Sequence, residues 1–266
     1  MLKNLLCDFE AFWTVFYKYF TGKGVVYEEP AEYIYETPHL IVIGIAILAT
    51  IGAYLLLKNK TYATQRKCLV AAAIILAVCE IFTRVSKLLY FADLGQLDVT
   101  MAIKVIVPIH FCQIMVWFII VAILIDNKPM ISFSALCGLL ASLFYLAYPI
   151  EGLSASFLHV RAFNSIFTHS LAFVTSINMM LLGMVKFRLK DFPKTLLFLV
   201  CIVIYGFIMN LVFPGENYMF MMENPTSLTF GPVPYQLVFA LLIFVFLSVF
   251  YVVPHLIEKR KAKKSN

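Results

Sequence analysis

Cys112 and His169 are the residues of this chain best suited to nucleophilic chemistry. A cysteine attacks a carbonyl as its thiolate, which a neighbouring base or cation must favour. Glu80, Arg84, His110, Gln113 and Asn178 also sit inside long apolar runs, and a polar loop later in the chain carries Glu216, Asn217 and Tyr218. Polar groups within a bilayer are costly, so such residues are functional candidates by default. Glu80 and Arg84 stand at i and i+4 with the acid first, the favoured order for a helical ion pair. That pair reads either as mutual neutralisation or as a contact to substrate. His110 and Cys112 lie about 200° apart on a regular helix. They do not face each other unless Pro108 distorts the turn. A base for Cys112 is therefore expected on another helix, at His169. The plainer reading of Cys112 is a packing residue.

The elements that must position these groups are membrane helices. The chain of 266 residues is 62% apolar and 14% charged, against about 45–50% and about 25% in soluble domains. The fold class is all-α, a polytopic bundle of seven transmembrane helices. Spans are expected at 39–57, 67–90, 105–125, 131–149, 161–185, 194–213 and 234–254, each near the ~20 residues that cross a bilayer. The 131–149 span is the weakest, diluted by Ser132, Ser134, Ser142 and Pro149. The organisation is an N-terminal segment over 1–38, the bundle over 39–254 and a basic cytoplasmic tail over 255–266.

Lys and Arg mark cytoplasmic loops. They gather at 58–67, at Lys128, at 186–194 and in the tail, whereas acidic residues gather on the alternate connections. The N-terminus is thus expected outside and the C-terminus inside, in a multi-pass protein of the cell membrane. The net charge of +6 implies anionic headgroups as partners at the cytoplasmic face and gives no reason to expect nucleic acid. Residues 2–20 show a helical stripe of Leu, Phe, Trp and Tyr in place of a signal-peptide pattern. They are expected to form an amphipathic helix in the outer interface or one packed across the bundle mouth. None of the six cysteines forms a CxxC spacing, so no disulfide framework or zinc-thiolate site is expected.

Helical rise then sets depth. Glu80, Arg84, His110, Cys112 and His169 fall in the outer half of the membrane, with His159 at the mouth and the Pro214–Pro234 loop above. That loop, rich in Pro, Gly and aromatics, is expected to be either an external connection or a lid folded into the bundle.

Ordered motifs carry a resemblance. Pro108-Ile-His-Phe-Cys112 with Gln113-Ile114 resembles a motif of the YwaF-like bacterial integral membrane proteins. His159, Arg161 and Thr168-His169-Ser170 resemble their second histidine stretch. Asn217-Tyr218-Met219, Asn224-Pro225, Ser227-Leu228 and Gly231-Pro232 resemble their closing pattern, and Glu80 matches their acidic residue. That family is similar in layout to the eukaryotic transmembrane protein 164 family, regarded as a cysteine-dependent phospholipid acyltransferase. The resemblance implies a lipid acyltransferase or acyl hydrolase, with Cys112 as nucleophile, His169 as base and a membrane lipid as substrate. His110, or Asn217 and Tyr218, would steady the oxyanion, and Glu80 and Arg84 would orient His169 or meet the headgroup. No cofactor is expected on that reading. Two alternatives stand beside it. One is a zinc lipid hydrolase holding its metal on His110, His159 and His169. The other is a non-enzymatic transporter or small-molecule receptor.

Overall fold

The computed structural model describes residues 36–148, 160–222 and 234–265, which form helices and short connections with no strand. The expected amphipathic helix over 2–20, the connector before Glu36, His159 and the motif residues 223–233 lie outside the described residues. The helices are α1 (Thr37–Leu57), α2 (Tyr62–Asp93), α3 (Val99–Ile106), α4 (Phe111–Ile125), α5 (Lys128–Ala147), α6 (Val160–Leu181), α7 (Phe192–Val212) and α8 (Tyr235–Ser265).

Among the described residues five helices are long and apolar enough to cross a membrane. A sixth crossing arises if α3 and α4, bent by 57° at their junction, form one span. Together with the family reported below, this makes the chain a multi-pass membrane protein. Exposure agrees with it. Leu40, Ile41, Ile45, Leu48, Leu55 and Leu56 of α1 all face outward, an apolar surface that suits hydrocarbon and not water.

Helix ends follow local chemistry. Thr61 caps α2 by accepting from the Thr64 N–H (3.3 Å), and Asp98 caps α3 through the Met101 N–H (2.6 Å). Asn127 caps α5 through the Met130 N–H (3.1 Å). The expected fifth span stops short of 185. Gly183 takes a left-handed φ of 71°, and its N–H and that of Met184 close back on Met180 and Met179, the usual device for ending a helix. The last helix instead runs past Pro254 to Ser265, so the basic tail continues α8. The helix continues through Pro254.

Among the described residues α6 alone of the long helices is not apolar enough to cross a membrane by composition, and its place explains why. It packs against α1, α2, α4 and α5. Asn164, Thr168, His169, Thr175, Ser176 and Asn178 on it are all buried. Polar residues are tolerated within a bilayer when they face the bundle and find partners there. Ala172 and Met179 of α6 join Leu69, Leu76, Val116, Ile119, Ile123 and Ile131 in one core. A second core joins Met115, Phe133, Leu136, Ile202, Leu247 and Tyr251.

The contacts sort the connections into two ends. Tyr62 and Arg66 meet Asp126, Phe187 packs on Tyr251, and Thr195 bonds Tyr251 (2.5 Å). The basic loops 58–61, 126–127 and 182–191 therefore share one end with the basic half of α8. At the other end His39 bonds the Leu146 carbonyl (2.7 Å), Arg161 lies over Tyr90, and Gln236 bonds the Met221 carbonyl (3.2 Å).

Candidate functional site

The expected regular span over 105–125 is broken at its start. α3 ends at Ile106 and α4 begins at Phe111. Pro108 has no N–H to continue the ladder and disfavours helical backbone in the residue before it. Val107 and His110 are both extended, His110 at φ −76° and ψ 144°. His110 is thus the N-cap residue of α4, and Cys112 lies in its first turn. The 200° argument for a regular helix does not apply to this pair. Gln113 turns back so that its Oε1 accepts from the Ile109 N–H (3.3 Å). The first N–H groups of a helix have no partners within it and carry a partial positive charge. Cys112 stands at that end.

Two groups converge on the break. On one side Arg84 donates from Nη1 to the Glu80 carboxylate and from Nε to the Ile106 carbonyl (3.0 Å), one of the last carbonyls of α3. Its guanidinium sits 5.5 Å from the centre of the Trp117 ring. The Glu80–Arg84 pair is therefore intrahelical, as its spacing suggested, and it also holds the broken span. Asn164 of α6 donates to the Cys79 carbonyl (3.0 Å) and to Thr83 Oγ1 (2.7 Å) beside that pair.

On the other side the loop after α7 folds against the break. Its first residues are docked by Asn210, whose Oδ1 accepts from the Tyr218 N–H (2.8 Å). Asn210 Nδ2 donates to the Tyr218 carbonyl (3.1 Å) and the Gly206 carbonyl (3.0 Å). Tyr218 meets His110 edge to face, with ring centres 5.4 Å apart, and buries itself with Ile109 and Phe213. Burial pushes its phenol up to about 12, with Glu216 and Tyr205 adding to the effect, so the hydroxyl stays protonated. Tyr205 of α7 donates to the Pro108 carbonyl (3.1 Å). Lys104 pairs with Glu216 (2.7 Å), and Asn217 Oδ1 accepts from the Met222 N–H (2.9 Å). Met219 takes a left-handed φ of 57°, which costs about 1–3 kcal/mol for a residue with a side chain. Its sulfur packs where Gly206 has no Cβ; a Cβ there would lie 2.6 Å from it. The first part of the loop is thus folded onto the bundle, as the lid reading expected. Its remainder lies outside the described residues.

His169 sits on α6, 7% exposed. Its Nδ1 lies 2.7 Å from the Ser165 carbonyl oxygen. A carbonyl only accepts, so Nδ1 carries the proton and Nε2 holds the lone pair in the neutral ring. Tyr145 of α5 stacks on the ring with centres 3.6 Å apart and planes 6° from parallel, and its hydroxyl donates to Ser165 Oγ (2.8 Å).

Register relates these residues to Cys112. Ile119, Gly138 and Ser176 meet where α4, α5 and α6 cross, since a Cβ on Gly138 would lie 2.6 Å from Ile119 Cδ1 and 2.9 Å from Ser176 Oγ. Cys112, Tyr145 and His169 each stand one heptad from one of these three. All three lie on the same side of the crossing, about 10 Å along their helices. Cys112 also packs on the second core. Among the described residues no group of three His, Cys, Asp or Glu is arranged to hold a metal, with His159 outside them.

A family model described as the TMEM164 family matches residues 34–252. The chain belongs to the TMEM164 family. No curated protein and no solved structure is found to match it. For this member of the TMEM164 family, sequence reasoning did not single out Lys104, Tyr145, Asn164, Ser165, Tyr205 or Asn210. Asn210 alone carried a sequence signal, a polar residue within an apolar run four residues before the Pro-Gly turn.

Proposed function

We propose that this protein transfers or hydrolyses acyl chains of a membrane lipid through Cys112, with His169 as base. The observation that carries the reading is the place of Cys112 in the first turn of a half-helix opened by Pro108. A helix N-terminus favours the thiolate, and His169, seven residues from Ser176 at the α4–α5–α6 crossing, is the base this reading assigns to it. In the reaction Nε2 of His169 takes the thiol proton. The Cys112 sulfur attacks the ester carbonyl of a lipid, and the lysolipid alcohol leaves with the proton from His169. A second alcohol, amine or water then gives its proton to His169 and opens the thioester, restoring the thiol. N–H groups of the first turn of α4, with Tyr218 and Asn217 of the docked loop, would supply donors for the oxyanion. A neutral Glu80–Arg84 pair beside the break suits an uncharged ester better than a bare anion.

The same reading takes the chain across the membrane seven times, counting α3–α4 as one crossing and including polar α6. Its basic end faces the cytoplasm by the positive-inside rule. The site then opens to the outer half of the bilayer, where a lipid enters sideways between helices. Kinship to the YwaF-like bacterial proteins is part of this proposal, supported by the ordered motifs around Cys112, His169 and Tyr218.

The test is acyl transfer and fatty-acid release by the purified protein in nanodiscs, followed by mass spectrometry with labelled phospholipid and lysophospholipid. Wild type should form a hydroxylamine-sensitive adduct on Cys112. Cys112→Ala and His169→Ala should each abolish turnover while remaining monodisperse, and the double variant should lose little more, because residues acting as a unit are not additive. Full activity of Cys112→Ala would reject the thiol mechanism. Loss of activity on chelation together with stoichiometric zinc would favour the histidine-metal alternative.

A further inference from the structure

Tyr145, in the last turn of α5, has a buried histidine as its stacking partner, His169 at 7% exposed. Its ring covers one face of His169 at 3.6 Å and 6° from parallel. Its hydroxyl is tied to Ser165 Oγ (2.8 Å), and the carbonyl of that same Ser165 takes the Nδ1 proton (2.7 Å). Ser165 thus joins the two contacts. One fixes the plane of the imidazole and the other fixes which nitrogen bears the proton. A histidine ring left to rotate about its χ2 torsion samples a broad, two-fold well and can exchange tautomers. The stack removes that freedom, because rotation of the imidazole would drive it into the Tyr145 ring.

We propose that Tyr145 is a positioning residue that locks His169 as the Nδ1–H tautomer, keeping the Nε2 lone pair aimed at one direction for proton transfer. The proposal rests on the reading of His169 as a base for its consequence on rate, but not for the lock itself. The lock is a property of the tyrosine, the serine carbonyl and the imidazole. Tyr145 touches no reacting atom in this account; it acts through His169.

The experiment uses the full chain labelled with ¹⁵N-histidine in lipid nanodiscs. His169 is assigned among the five histidines by the His169→Gln variant. Wild type should show one protonated and one bare ring nitrogen for His169, with the proton on Nδ1. Tyr145→Phe keeps the stack and should keep that pattern, with turnover within about threefold of wild type, whereas Tyr145→Leu should show exchanging tautomers and a fall in kcat of about 10²-fold at near-constant KM, the size of loss a misplaced catalytic group brings. If Tyr145→Leu is not monodisperse, Tyr145→Met removes the ring at similar bulk and is read in the same way. An unmoved tautomer pattern in the ring-less variant overturns the lock. A moved pattern with unchanged kcat overturns the positioning role. If wild type itself shows no acyl turnover, the proposed function fails and the tautomer spectra alone decide on the lock.

Discussion

Replacing Asn210 by Ala should release the loop from the break. Asn210 is 5% exposed and Tyr218 is 5% exposed, and one carboxamide serves both the N–H and the carbonyl of Tyr218. Removing it leaves both groups buried without that partner, at about 1–3 kcal/mol each. The bond to the Gly206 carbonyl adds little, because that carbonyl keeps its place in the helix ladder. The docked loop would then bear about 2–6 kcal/mol from the two orphaned groups, besides the left-handed Met219. Against this stand the burial of Tyr218, at about 1.5–3 kcal/mol, and the half-exposed Lys104–Glu216 pair, at about 0–1 kcal/mol. The two sides are comparable, so the loop should spend far more time undocked. Hydrogen exchange of residues 218–222, measured by mass spectrometry in nanodiscs, should quicken by at least about tenfold, since 1.4 kcal/mol of local opening free energy is a factor of ten. Asn210→Leu fills the space without restoring a donor or acceptor and should behave like Ala. Unchanged exchange in both variants would refute the claim that this carboxamide docks the loop.

Glu80→Gln should destabilise the protein by about 3–5 kcal/mol, because it leaves the Arg84 charge inside the bundle without its counter-charge. Glu80→Gln with Arg84→Met should recover most of that loss in thermal unfolding, and failure to recover would show that Arg84 matters chiefly through the Ile106 carbonyl. At the basic end, the hydrogen bond from Lys128 holds the Asp126 carboxyl below its usual range, with Tyr62 and Arg66 adding to it. A lowered folded-state value gives stability that is present above the ordinary carboxylate value and lost as pH falls through the lowered one. Asp126→Asn tolerates the left-handed backbone there and should flatten the acid limb of the stability curve, by under about 1 kcal/mol for so exposed a group. Reporter fusions at residues 62, 95, 155, 190 and 225 should alternate between cytoplasm and exterior, and two successive fusions on one side would defeat the seven-crossing reading.

What the sequence made legible was what is local. The Glu80–Arg84 pair follows from i, i+4 spacing, and the structure holds it. The irregularity at the start of the third span follows from Pro108, and it is larger than a kink: two helices meet at 57°. The depth estimates for His110 and Cys112 assumed a continuous helix from Val105, and the break removes their footing. What stayed hidden is what depends on packing between distant segments. Lys104 reads as a stray charge until Glu216 is brought to it. Tyr145 reads as one aromatic among many until α5 and α6 lay it on His169. Asn210 needs a chain reversal through Gly215, at φ 87°, before it has anything to bind.

The broken span also explains why these polar groups belong together. A chain that stops being helical within a membrane exposes carbonyls and N–H groups that lipid cannot satisfy. Here Arg84 takes the Ile106 carbonyl, Tyr205 takes that of Pro108, and Gln113 takes the Ile109 N–H. These partners take up three backbone groups at the break, and Cys112 stands in the first turn that follows it. A break needed only for packing would be expected to satisfy that turn with a side-chain cap. His110, the N-cap residue, supplies none and turns its ring to Tyr218. On the proposed mechanism the oxyanion forms at Cys112, beside the N–H groups of that first turn, which a helix N-terminus makes partially positive.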